Sequence, residues 1–243
     1  EAMQKHAANP FSVCLERWTS YAELDRQSAQ LGAWLQAQGL EPGARVAIML
    51  PNIPQFAATM AAVLRAGCVC VNVNPLYTAR ELEHQLNDSG ATAIVILENF
   101  AHTLAEVLPR TAVRHVVLTA MGDLLGAAYG AWITFAVRHL AKMVPAFVLP
   151  LTGGQKVTRF GDALAQGAGH TLAPSQATLD CTAFLQYTGG TTGLSKGAVL
   201  THRNIVAAVL QAEAWFAPAL ERLGDASRAN SIAALPLYHI FAL

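Results

Sequence analysis

Ten residues from Thr188 to Gly197, TGGTTGLSKG, hold four glycines, four hydroxyl side chains and one lysine. Glycine lets the backbone turn through positive φ and approach a ligand closely. Successive N–H groups in such turns point inward and cradle an anion. Thr188, Thr191, Thr192 and Ser195 add hydroxyl donors, and Lys196 adds a compact positive charge. A polyphosphate, with many negative oxygens that need short donors, suits this set. Two familiar phosphate loops do not fit. The P-loop wants Gly directly before the lysine and Ser or Thr directly after, but Ser195 precedes Lys196 and Gly197 follows it. The dinucleotide pattern wants G-x-G-x-x-G, which this loop lacks. The bland alternative is a glycine-rich hairpin with threonines as turn formers. The density of hydroxyls, glycines and one cation argues against it. The predicted phosphate-binding residues are Thr188, Gly189, Gly190, Thr191, Thr192, Gly193, Ser195, Lys196 and Gly197.

Such a loop needs a rigid frame, and the chain before it alternates strand and helix signals. Ser20 and Glu23 have capping-box spacing, Leu24, Leu31 and Leu35 recur on one helical face, and Gly39 ends that helix. RVAIML is a short buried-strand run. PQFAATMAAVLRAG follows as a helix, with Pro54 early and Gly67 as its stop. CVCVNV is a strand, Thr78 and Glu81 repeat the capping-box spacing, and Gly90 closes the next helix. TAIVIL, FAHTLAEVL and RHVVLT continue as strand, helix, strand. This rhythm predicts an α/β fold of mostly parallel sheets with helices on both faces.

Residues 121–178 break the rhythm. The stretch from about 121 to 150 reads as a long amphipathic helix and then a loop. Leu125, Tyr129, Trp132, Ala136, Leu140 and Met143 share one face, and Ala127, Ala131, Thr134, Arg138 and Lys142 another. One reading lays residues 124–143 in a membrane interface; the other packs the apolar face against the protein's own core. A second half then begins at CTAFLQY: strand, glycine loop, short strand GAVL, a helix from Thr201 and a strand SIAALP. The expected domains are 1–178, an α/β subdomain with the amphipathic insertion, and 179–243, the start of a second one carrying the phosphate loop.

Bulk composition narrows the function. The chain is 53% hydrophobic and 13% charged, with a formal net charge of zero. That leaves ample core and no basic field to collect nucleic acid. Cys14, Cys68, Cys70 and Cys181 form no C-x-x-C pair, which predicts buried reduced thiols in a cytosolic protein. No signal peptide is expected from the opening residues. Val46 to Leu64 lacks charge but is broken by PNIP, and Leu124 to Val137 is shorter than a span requires.

YTGGTTGLSKG resembles the phosphate-loop signature of the adenylate-forming superfamily, which includes acyl-CoA synthetases, luciferases and peptide-synthetase adenylation domains. LTHRN and the closing ALPLYHIFAL extend the resemblance. YAELD, GARVAIMLPN and AVLRAGCVCVNVNPLYTARELEHQLNDSGA resemble the bacterial long-chain fatty acid–CoA ligases. The likeness covers almost the whole chain, more weakly over 1–18 and 140–178. It implies the N-terminal part of the adenylate-forming enzyme fold. It also implies a reaction in which ATP and a fatty carboxylate give acyl-adenylate and pyrophosphate with Mg²⁺, after which coenzyme A gives acyl-CoA and AMP. Lys196 and His239 would be the catalytic residues: Lys196 on the leaving phosphates, His239 near the carboxylate and adenylate. For His239 the alternative is an ordinary loop histidine, and Tyr238 is expected to pack. Two departures stand out. Ser195 occupies a place where the family often has proline. No Tyr-Gly-x-Thr-Glu stretch follows, so the glutamate expected beside Mg²⁺, the ribose-binding aspartate and the C-terminal domain lysine are not in this chain. The expectation is the N-terminal piece of a longer ligase, inactive alone, cytoplasmic or peripheral on the inner membrane. Ligases for shorter or aromatic acids, and a non-catalytic nucleotide- or membrane-docking module, are the alternatives.

Overall fold

The computed structural model describes residues 2–188, 195–222, 224 and 229–239. A short helix α1 (Ala2–Lys5) leads into a hairpin of β1 (Pro10–Cys14) and β2 (Arg17–Ser20). Helix α2 (Tyr21–Ala37) starts at the expected capping box: the Ser20 side chain accepts from the Glu23 N–H, and the Glu23 carboxylate accepts from the Ser20 N–H. Strand β3 (Arg45–Met49) follows, then α3 (Pro54–Arg65), with Pro54 at its first turn, and β4 (Val69–Asn72). Helix α4 (Ala79–Ser89) has the second capping box, Thr78 with Glu81, and ends at Gly90 in the left-handed region. Strand β5 (Ala93–Leu97), helix α5 (Ala101–Val107) and strand β6 (His115–Thr119) complete the regular alternation. Helix α6 (Ala127–Phe135) is followed by β7 (Lys156–Arg159), α7 (Phe160–Gly167), β8 (Thr182–Thr188), β9 (Lys196–Thr201) and α8 (His202–Arg222).

Seven strands make one sheet in the order β7-β6-β5-β3-β4-β8-β9. All neighbours are parallel except β8 and β9, which are antiparallel. The fold is α/β, as expected, with an apolar cluster on each face of the sheet. Trp34, Leu35, Phe56 and Phe160 anchor one, under α2, α3 and α7. Leu82, Leu86 and Leu104 anchor the other, under α4 and α5. Because the central strands are parallel, their carboxyl ends share one edge. The chain reverses its direction across the sheet around β3, whose neighbours are β4 and β5. That edge at such a reversal is where α/β sheets bind ligands.

Past the expected boundary at 178/179, β8 pairs with β4 in the same sheet. Several other expectations are corrected. The strand expected at SIAALP is irregular backbone, and the passage after residue 150 contains β7 and α7 instead of only loop. The long helix is short: α6 spans nine residues and runs into a π-type turn, Ala136–Leu140. Its start is set by close backbone contact, for a Cβ on Gly122 would meet the Gly130 carbonyl oxygen at 1.9 Å. Its apolar face does not pack inward. Leu125 is buried, but Trp132 is 56% exposed and Leu140 63% exposed, with Tyr129 and Met143 exposed beside them. Cys68 and Cys70 are buried thiols, whereas Cys14 is half-buried and Cys181 exposed.

Candidate functional site

The site grows from the carboxyl edge of β3, β4 and β8. Thr188 ends β8 and Lys196 opens β9, and the two are cross-strand partners. Both are exposed, as is Gly197. Ser195, Lys196, Gly197 and Thr188 therefore sit together on one hairpin. Gly189, Gly190, Thr191, Thr192 and Gly193, predicted with them, lie outside the described residues.

Gly197 lies close against its neighbour across the hairpin. A Cβ there would lie 3.0 Å from the Tyr187 ring, so a side chain would displace the ring or the strand. Tyr187 is buried, and its hydroxyl donates a short hydrogen bond to the Asp88 carboxylate. Burial, then that carboxylate, push the Tyr187 phenol well above the ordinary tyrosine range. On the β9 side, His84 Nε2 lies 3.1 Å from the Ser195 carbonyl oxygen. A carbonyl only accepts, so Nε2 holds the proton. Tyr77 meets the Ser195 side chain. Burial holds the Tyr77 phenol above its ordinary value, and the hydrogen bond with Ser195 offsets only part of that rise.

A chain of amides ties this hairpin to the segment that holds His239. Gln85 Nε2 donates to the Asn72 carbonyl at 2.8 Å, Asn72 Nδ2 donates to Gln186 Oε1 at 3.0 Å, and Gln186 Nε2 donates to the Tyr238 carbonyl at 2.8 Å. Asn52, in the loop after β3, holds the same segment from the other side. Its Nδ2 donates to the carbonyls of Ala233 and Leu235, and its Oδ1 accepts from the Leu237 N–H, each at 2.8 Å. The irregular backbone of residues 233–237 thus finds side-chain partners in place of a strand ladder. Tyr238 packs against the core cluster under α3, as expected. His239 itself is exposed, and its N–H donates to the Pro236 carbonyl at 2.9 Å. A cleft of about 310 Å³ lies between Asn52, Pro75, Phe100, Pro236 and Tyr238.

Sequence reading missed His84, Asp88, Asn52 and Gln186. Only His84 and Asp88 left a local trace, as polar residues four apart on one helix. Among the described residues, no group of three or more His, Cys, Asp or Glu side chains comes together. The described residues do not by themselves supply a carboxylate set for a resident Mg²⁺.

A family model described as AMP-binding enzyme matches residues 1–243. The long-chain-fatty-acid–CoA ligase of Yersinia pestis is 46% identical over 243 residues, covering 100% of this chain and 42% of that protein. The enzyme of the same name from Escherichia coli O157:H7 is 45% identical over 244 residues, again 100% of this chain and 42% of that protein. Among solved structures, a long-chain-fatty-acid-CoA ligase from Archaeoglobus fulgidus superposes with a TM-score of 0.66 at 22% identity, over 98% of this chain and 41% of that one. At that identity the likeness speaks for the fold alone. The chain spans 42% of the length of the first two proteins.

Proposed function

The chain belongs to the AMP-binding enzyme family, and on that premise we propose that it forms part of an ATP-dependent, AMP-forming fatty acid–CoA ligase whose β8–β9 hairpin holds the phosphates of ATP. The observation that carries the reading is the hairpin itself. Thr188, Ser195 and Lys196 meet at the carboxyl edge of a parallel sheet, on a whole-chain background 46% identical to a long-chain-fatty-acid–CoA ligase.

In the first step a fatty carboxylate oxygen attacks the α-phosphorus of ATP, and pyrophosphate leaves. The hydroxyls of Thr188 and Ser195 donate to phosphate oxygens. The Lys196 ammonium neutralises charge as it grows on the leaving pyrophosphate. His239 faces the carboxylate and the adenylate. In the second step the coenzyme A thiolate attacks the acyl carbonyl carbon and AMP leaves. Exposed apolar side chains of α8 support a longer functional protein. Val209, Leu210 and Phe216 are exposed and Trp215 is 82% exposed, apolar surface that further polypeptide would cover.

A peripheral membrane contact belongs to the same proposal. Tyr129, Trp132, Phe135, Leu140 and Met143 are exposed on α6 and the turn after it, with Lys142 and His139 among them, the composition of an interfacial helix. Among the described residues, no helix is long and apolar enough to cross a membrane.

The direct test is fatty-acid-dependent exchange between ATP and pyrophosphate in the full-length enzyme that carries this sequence. Exchange with long-chain acids is expected. Exchange driven only by short or aromatic acids would move the substrate class, and none with any carboxylate would end the ligase reading.

A further inference from the structure

Helix α4 grips both stems of the phosphate-loop hairpin. His84 and Asp88 stand one turn apart on the same face of α4. His84 Nε2 donates to the Ser195 carbonyl at 3.1 Å, on the β9 stem. Asp88 accepts from the Tyr187 hydroxyl, on the β8 stem. Ser195 and Tyr187 each sit one residue before a member of the Thr188–Lys196 pair. Helix α4 is itself firmly seated. Its first turn is closed by the Thr78–Glu81 box, its last by Gly90, Leu82 and Leu86 are fully buried, and the Gln85 amide reaches the Asn72 carbonyl.

We infer that His84 and Asp88 are positioning residues, which hold the two stems at the separation that a polyphosphate requires. The inference rests on the phosphate-site reading above. The Ser195 carbonyl belongs to the same peptide unit as the Lys196 N–H. Fixing it fixes the plane from which the lysine leaves the backbone. Asp88 does the same for β8 through Tyr187, whose ring also sets the floor under Gly197. Donors already held in place bind phosphate without first losing conformational freedom. Neither residue touches the reacting atoms.

The test is steady-state kinetics of the full-length ligase. His84→Ala is expected to raise KM for ATP about tenfold, the equivalent of ~1.4 kcal/mol and of one lost hydrogen bond. KM for the fatty acid and kcat should stay within about twofold. His84→Gln should restore KM for ATP, because the glutamine amide nitrogen is the same number of bonds from Cβ as imidazole Nε2. His84→Asn, one atom shorter, should not. Tyr187→Phe should shift KM for ATP in the same direction. If His84→Ala does not fold, the contrast between Gln and Asn carries the test. An unchanged KM for ATP in His84→Ala, or equal defects in Gln, Asn and Ala, would overturn the inference. Lys196→Met separates the two levels. If it too leaves ATP use intact, the phosphate-site reading fails. If it alone is impaired, only the α4 grip fails.

Discussion

Arg138 closes a two-pronged pair on Glu98, with its Nε 2.8 Å from one carboxylate oxygen and its Nη2 2.6 Å from the second. Glu98 follows β5 and is 3% exposed, and Arg159, at the end of β7, approaches the same carboxylate at 3.3 Å. The pair fastens the π-type turn after α6 to the sheet edge. It also engages Arg138, one of the two cations of that segment, in an ion pair, leaving Lys142 and the His139 ring exposed. Removing Arg138 leaves the buried carboxylate only the longer contact with Arg159. Arg138→Met is expected to lower stability by ~1–3 kcal/mol, below the fully buried range because the arginine remains partly solvated. Urea denaturation measures the loss, and hydrogen exchange should rise most in residues 127–140. Unchanged exchange there would show that the pair does not seat the helix.

The exposed face of α6 makes a second expectation. Flotation with vesicles rich in anionic phospholipid should carry the protein upward and weaken with salt. Trp132→Ala removes the largest interfacial ring, and Lys142→Glu reverses a charge worth roughly 1 kcal/mol near such a surface. Each should reduce flotation while leaving the unfolding midpoint in place, because both side chains are exposed. Flotation indifferent to both substitutions removes the membrane contact from the proposal.

Lys196→Met in the full-length ligase is expected to slow adenylation more than thioester formation. The lysine would face pyrophosphate, which has departed before coenzyme A reacts. Loss of one preorganised donor of this kind costs roughly 10²–10³ in rate. Pyrophosphate release and transfer from preformed acyl-adenylate measure the two steps separately. The opposite pattern would assign Lys196 to the second step.

His115 gives the protein a stability that depends on pH. Burial first, then the nearby Lys156 ammonium, hold its pKa below the ordinary value of 6.5. Its ring also stands edge-on to Trp34, with centroids 6.3 Å apart. The unfolded chain therefore binds a proton here more readily than the fold does. The contribution is full above the unfolded pKa and is lost as pH falls through the folded one. The urea midpoint should drop from about pH 7.5 to about pH 5.5, and drop less in His115→Phe. Parallel curves for the two proteins would place the pH sensitivity elsewhere.

Short-range signals are legible in the sequence alone. The Ser20–Glu23 and Thr78–Glu81 boxes, Pro54 at a first turn and Gly90 at a helix end each act within about one turn. Those devices and the apolar runs of β3 to β6 determined an α/β fold. The spacing of glycines, hydroxyls and Lys196 determined where a phosphate site belongs. Tertiary structure decided the rest. It inserted β8 beside β4 across more than a hundred residues, so the expected second unit joins the first sheet. It gave the carbonyls of Ala233 and Leu235 to Asn52, which is why an apolar run with strand composition forms no strand. It turned α6 outward and shortened it, through the Gly122–Gly130 backbone contact and the Arg138–Glu98 pair. It brought His84 and Asp88 to a hairpin about a hundred residues away. Periodicity reports which face of an element is apolar; what that face, or a polar residue on it, finally meets depends on long-range packing that no local window contains.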